Sequence, residues 1–227
     1  KMIDPVQRLV FRGKIHPGRE AALQATLPDL QTTLARHVVA DDILTLSLFT
    51  WHQHIFLYYE CPGEAIAPAD LVGDIDSALA PWPDTTTSRV WAPMMDIFHY
   101  NQPQSVEHWR RDTPPEACTA RIIYLRPEMV SSYIFLHYQM QEEKPGTGDK
   151  YGQISIHENL LFFYMEQPAK KEAALHKGQL KTQHTPPNWH EVMFPHFQPW
   201  DGMEEKGEWQ LAEGSQLWRP IELLCSV

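Results

Sequence analysis

Tyr133 and His137 stand four residues apart in a run with helical periodicity, so they share one helix face. Tyr151 opens a strand-like run further on, and Trp189 falls in a second helical stretch. Two hydroxyls, an imidazole and a flat apolar ring are groups suited to holding a small polyol. An imidazole titrates near pH 6.5, so it gives and takes protons at neutral pH. Tyrosine hydroxyls hydrogen-bond to sugar hydroxyls, and an indole covers the C–H face of a pyranose. Together Tyr133, His137, Tyr151 and Trp189 read as a pocket for a small polyol, with His137 the group in it able to move a proton. No metal is expected: His184, His190 and His196 recur every six residues across three prolines, which no single helix face accommodates. His52 and His54 flank a hairpin turn and read as solvated.

The elements that position these residues occur twice. Arg8 to Ile15 reads as a strand, and Pro17-Gly18 starts a helix carrying Leu23, Leu27, Leu30 and Leu34. Ile43 to Phe49 and Ile55 to Glu60 read as paired antiparallel strands. Asp70 to Ala80 and Val90 to Phe98 read as helical pieces split by a loop at Pro81 to Asp84, and Ser105 to Arg110 as a weak closing strand. Then the order restarts. Ala120 to Arg126 is strand-like, and Pro127 opens the helix with Val130, Tyr133, His137 and Met140 on one face. Tyr151 to His157 and Leu160 to Glu166 repeat the strand pair, Ala169 to Leu180 and Trp189 to Phe194 the split helix, and Arg219 to Cys225 the closing strand.

Glu60 and Pro62 align with Glu166 and Pro168, and Trp91 with Trp189, so residue identity follows element order. The expected fold is α+β: two ferredoxin-like βαββαβ units, residues 1–112 and 113–227, joined by Arg111 to Cys118. Each four-stranded sheet would have one bare face, buried when the units pack sheet to sheet as an intrachain dimeric α+β barrel. Gln198 to Gln216, with its Asp-Gly, Lys-Gly and Glu-Gly steps, reads as a surface excursion. In the first copy Leu23 faces Tyr133, Leu27 faces His137 and Thr45 faces Tyr151, and only Trp91 survives. That copy has no ionisable group for proton transfer, which leaves at most one site per chain.

The helix from Pro127 to His137, the hairpin from Tyr151 to Phe163 and the pair Asn188-Trp189 resemble the L-rhamnose mutarotase family of the dimeric α+β barrel group. That resemblance implies an isomerase interconverting the anomers of a small aldose, with His137 as the catalytic proton donor, Tyr133, Tyr151 and Trp189 as substrate contacts, and no cofactor. The family's tryptophan pair is broken here by Asn188. A second reading is an α+β barrel monooxygenase or haem-handling protein, and a third a non-catalytic small-molecule binding module.

The 227 residues carry 19 Lys and Arg against 29 Asp and Glu, a formal charge of −10, which argues against a nucleic-acid partner. No apolar run approaches a membrane span, and the first residues lack a signal-peptide pattern, so a cytoplasmic location is expected. Cys61, Cys118 and Cys225 are widely spaced without a C-x-x-C and read as reduced thiols. The expected state is a monomer with an internal pseudo-dimer, or a homodimer.

Overall fold

The computed structural model describes residues 5–82, 88–203 and 217–227. Pro83 and Asp84 of the first loop, and residues 204–216 of the surface excursion, lie outside the described residues. In chain order the elements are β1 (Val6–Lys14), α1 (Glu20–Val39), β2 (Thr45–Trp51), β3 (His54–Pro62), α2 (Pro68–Val72), β4 (Ala92–Pro93), β5 (Met95–His99) and α3 (Val106–Trp109). There follow β6 (Ala117–Tyr124), α4 (Val130–Glu143), β7 (Thr147–Asp149), β8 (Gln153–His157), β9 (Leu160–Gln167), β10 (Lys171–Ala173), α5 (Trp189–Met193) and β11 (Arg219–Ser226). The protein is α+β, and its described strand pairs are antiparallel.

Two compact units divide the chain. One comprises residues 1–94, 103–118 and 222–227, and the other residues 95–102 and 119–221. In the first the strand order is β4-β1-β3-β2, with the second half of β11 added beside β2. In the second it is β11-β6-β9-β8, the first half of β11 pairing with β6, and β5 lies beside β8. Fourth-first-third-second is the order a βαββαβ unit gives when both crossovers are right-handed. The closing strand of each copy is cut in two: its first part edges one unit and its second part belongs to the other. The compact units are therefore interleaved along the chain, while the sequence division falls at 112/113.

Three elements differ from the sequence expectation. Val90 to Phe98, expected helical, contains β4 and all but the last residue of β5, with Ala92 and Pro93 opposite Arg12 and Phe11 on an edge where proline's missing N–H is tolerated. Ser105 to Arg110, expected as a strand, forms α3, and the Ser105 hydroxyl caps it by accepting from the His108 amide at 3.0 Å. Ala169 to Leu180, expected helical from its Ala, Lys, Glu and Leu content, pairs Lys171 to Ala173 with β7 and then runs irregularly. Pairing with β7 overrides its helical propensity.

Each unit has its own core. In the first, Leu23, Leu27, Leu30 and Leu34 of α1 pack on Leu46, Leu48, Ile55, Leu57 and Tyr59. Burying each such leucine is worth roughly 1.5–3 kcal/mol. In the second, Tyr133 of α4 lies with Phe98, Ile123, Leu125, Ile154, Ile156 and Leu161. All three cysteines are buried and unbridged.

Candidate functional site

Arg126 is extended and Pro127 opens a short 3-10 turn that continues into α4, which suits proline at a first helical position. One turn on, Tyr133 and His137 project together toward β5, β6, β8 and β9. They are 2% and 4% exposed, and their ring centroids lie 4.0 Å apart. Phe98 meets the His137 ring edge-on at 5.5 Å and Trp189 does so at 5.0 Å. His196 and Phe197 contact the Tyr133 ring at 6.0 and 5.8 Å. His137 is the ionisable group at the centre of an aromatic cage.

The hydrogen bonding fixes its tautomer. His137 Nδ1 lies 2.9 Å from the Tyr133 carbonyl, which can only accept, so Nδ1 carries the proton and Nε2 keeps its lone pair. Nε2 makes no hydrogen bond among the described residues, and neither does the Tyr133 hydroxyl. Burial drives the pKa of His137 from 6.5 down to about 4; the Tyr133 carbonyl opposes the shift, and His196 adds to it. The imidazole is neutral at pH 7. Burial alone raises the Tyr133 phenol well above its ordinary value, so it remains a donor.

Of the four residues expected at one site, the structure brings Tyr133, His137 and Trp189 together. Tyr151 is 2% exposed; its amide donates to Asp149 Oδ1 at 3.2 Å, and the Lys150 ammonium lies 5.5 Å from its ring centre. The rings around His137 and Tyr133 do not include it. Two members of the cage were missed. His196 is 3% exposed, its Nδ1 donating to the Val192 carbonyl at 2.9 Å and its Nε2 2.8 Å from the Ser132 hydroxyl. Nothing in its spacing marks it. Phe98 sits in the first sequence copy but belongs to the second compact unit, so only the strand exchange reveals it.

A second buried polar set repeats in both units. Tyr58 donates to Glu60 at 2.5 Å, and Tyr164 donates to Glu166 at 2.9 Å. Burial pushes the Glu60 carboxyl up, but Arg111, bonded to both its oxygens, prevails and holds it below the usual carboxylate range.

No protein-family model matches the chain, and no curated protein does. Among solved structures the chain is similar to a protein described as a putative monooxygenase from Lactobacillus acidophilus. That likeness has a TM-score of 0.42 and 8% identity, over 99% of this chain and 96% of the other. Another so described, from Fusobacterium nucleatum, gives 0.37 and 7%, over 100% and 95%. An anthrone oxidase-like protein gives 0.37 and 7%, over 99% and 93%. The structures the chain resembles are described as monooxygenases and as anthrone oxidase-like, not as L-rhamnose mutarotases, and the carbohydrate isomerase reading is withdrawn. The cage gives the physical reason. A sugar needs many hydrogen-bond partners, whereas His137 is walled by Phe98, Trp189 and Tyr133.

Proposed function

We propose that the chain binds a flat, weakly acidic aromatic molecule at His137 and oxygenates it without a resident cofactor, as a small-molecule monooxygenase. The observation that carries this reading is the neutral imidazole of His137, its Nδ1 tied to the Tyr133 carbonyl and its Nε2 without a hydrogen bond among the described residues, within an aromatic cage. Such a nitrogen is a base in surroundings that suit an aromatic ring better than a polyol. The Tyr133 hydroxyl supplies a donor for the substrate's developing oxyanion, and Trp189 and Phe98 supply ring faces and edges. The substrate's C–H proton goes to His137 Nε2 and the electron pair left behind reduces dioxygen. One oxygen atom stays on carbon, replacing two hydrogens with a carbonyl, and the other leaves as water. The solved structures named above as monooxygenases and anthrone oxidase-like carry names of this class.

In this reading residues 1–112 and 113–227 are two copies of one ancestral unit, the second alone keeping a base. No described helix is long and apolar enough to cross a membrane. A cytoplasmic location belongs to the proposal and rests on the sequence. The test is dioxygen uptake with anthrone and related phenolic ketones, comparing the protein with His137→Leu. Uptake that His137→Leu abolishes supports the reading. No uptake and no binding across the panel overturns it.

A further inference from the structure

From Ala174 to Asn188 the chain has no helix or strand, yet it is held closely against the end of α4. The Glu143 carboxylate accepts from the Thr182 hydroxyl at 2.5 Å, and from the Thr185 amide and hydroxyl at 2.7 and 2.5 Å. It also accepts from the His184 amide at 3.0 and 3.1 Å, while Gln139 of its own helix donates at 3.1 Å. Glu142 binds the same segment a few residues earlier: its carboxylate accepts from the Gln179 amide at 2.9 Å and its carbonyl from the Leu180 amide at 3.2 Å. Gly178 lies so near that a Cβ there would stand 2.0 Å from the Glu142 carbonyl oxygen, which leaves room for glycine alone.

Every donor in this clasp is an amide or a hydroxyl, so Glu143 is anchored by geometry and hydrogen bonding with no cationic partner among them. Beyond the clasp, Pro186-Pro187 forms a stiff spacer. It ends at Trp189, whose ring meets His137 edge-on at 5.0 Å. Trp189 is half-buried, whereas Phe98, Tyr133, His137, His196 and Phe197 are buried. It is the member of the cage closest to solvent.

We propose that residues 174–188 are a strap clasped by Glu143, and that Trp189 at its end is the door through which a ligand reaches His137. The purpose of the door rests on the reading of His137 as the ligand-facing base. Its mechanics do not. Glu143 is here a positioning residue, acting through the strap on Trp189.

The test uses the full chain and diethyl pyrocarbonate, which acylates accessible neutral imidazoles, with the modified histidines read by peptide mass spectrometry. His16, exposed on the surface, is the internal reference, and the buried Cys225 thiol reports loss of fold by its reaction with a disulfide reagent. In the unmodified protein His137 should react far more slowly than His16. Glu143→Ala should speed its reaction about tenfold or more, the factor expected when several closing hydrogen bonds are lost, with His16 and Cys225 unchanged. Thr185→Val, which removes one hydroxyl donor and leaves the backbone bonds, should give a smaller acceleration in the same direction. It decides the matter if Glu143→Ala exposes Cys225. Unchanged His137 reactivity in a folded variant, or His137 as reactive as His16 from the start, overturns the strap. Acceleration without dioxygen uptake keeps the strap and removes the oxygenase. Uptake without acceleration does the reverse.

Discussion

The long helices α1 and α4 do the same mechanical job in the two units and are built for opposite ends. On α1 the inward positions are Leu23, Leu27, Leu30 and Leu34, all buried on an apolar sheet face. On α4 the matching positions hold Tyr133 and His137, as buried but, among the described residues, without a hydrogen bond at the phenol oxygen or at Nε2. The tryptophans repeat the contrast. Trp91 is 7% exposed and donates to Asp76 at 2.8 Å, while Trp189 is half-buried and rests against an imidazole. The Tyr-x-Glu pairs, Tyr58–Glu60 and Tyr164–Glu166, are the same in both. Strand order and these pairs sustain the fold in each unit. The phenol and imidazole under α4 are what the second unit has and the first lacks, and the proposal rests on them.

The largest expected effect lies in the first unit and concerns the part both units keep. Arg111→Ala leaves the fully buried Glu60 without its main counter-charge and should cost about 3–5 kcal/mol in chemical denaturation. Leu27→Ala should follow, at about 2–5 kcal/mol, because it opens a cavity in a filled core. His137→Leu puts a leucine where the first unit already has one and removes an unpaired nitrogen, so stability should stay within about 1 kcal/mol while ligand binding disappears. A loss as large as that of Leu27→Ala would make His137 an ordinary core residue and erase the contrast.

The smallest effect is the pH dependence. His137 titrates near 6.5 when unfolded and at about 4 when folded, so the unfolded chain binds the extra proton between these values. Its contribution is fully present above pH 6.5 and is lost as pH falls toward 4. Denaturation midpoints measured across that window should fall less steeply for His137→Leu than for the parent protein. Equal slopes would mean that His137 is not held neutral.

Much of the fold was legible because period-2 and period-3.6 patterns in β1, β3, β9, α1 and α4 agree with what those segments bury. The failures share a cause. Val90 to Phe98 and Ala169 to Leu180 have compositions that fit a helix, and only pairing with β1, β8 and β7 makes strands of parts of them. Such partners are distant in sequence and leave no local trace. The exchange of residues 95–102 and 222–227 between compact units was invisible for the same reason, and with it the place of Phe98. At the site, the i,i+4 spacing of Tyr133 and His137 was a true signal of proximity. The polyol reading failed because spacing says nothing about what surrounds a pair. Here the surroundings are aromatic, and Tyr151 is engaged with Asp149 and Lys150.

His137 is a neutral imidazole, protonated on Nδ1 and, among the described residues, without a hydrogen bond at Nε2, within an aromatic cage. Nitrogen-15 NMR of the histidine rings between pH 3 and 8 tests it most directly, since ring shifts report both tautomer and titration. The structure predicts an Nδ1–H tautomer for His137 with a midpoint near 4, and a change at Nε2 when a phenolic ketone is added. A midpoint at 6.5, or a proton resident on Nε2 at neutral pH, would contradict it.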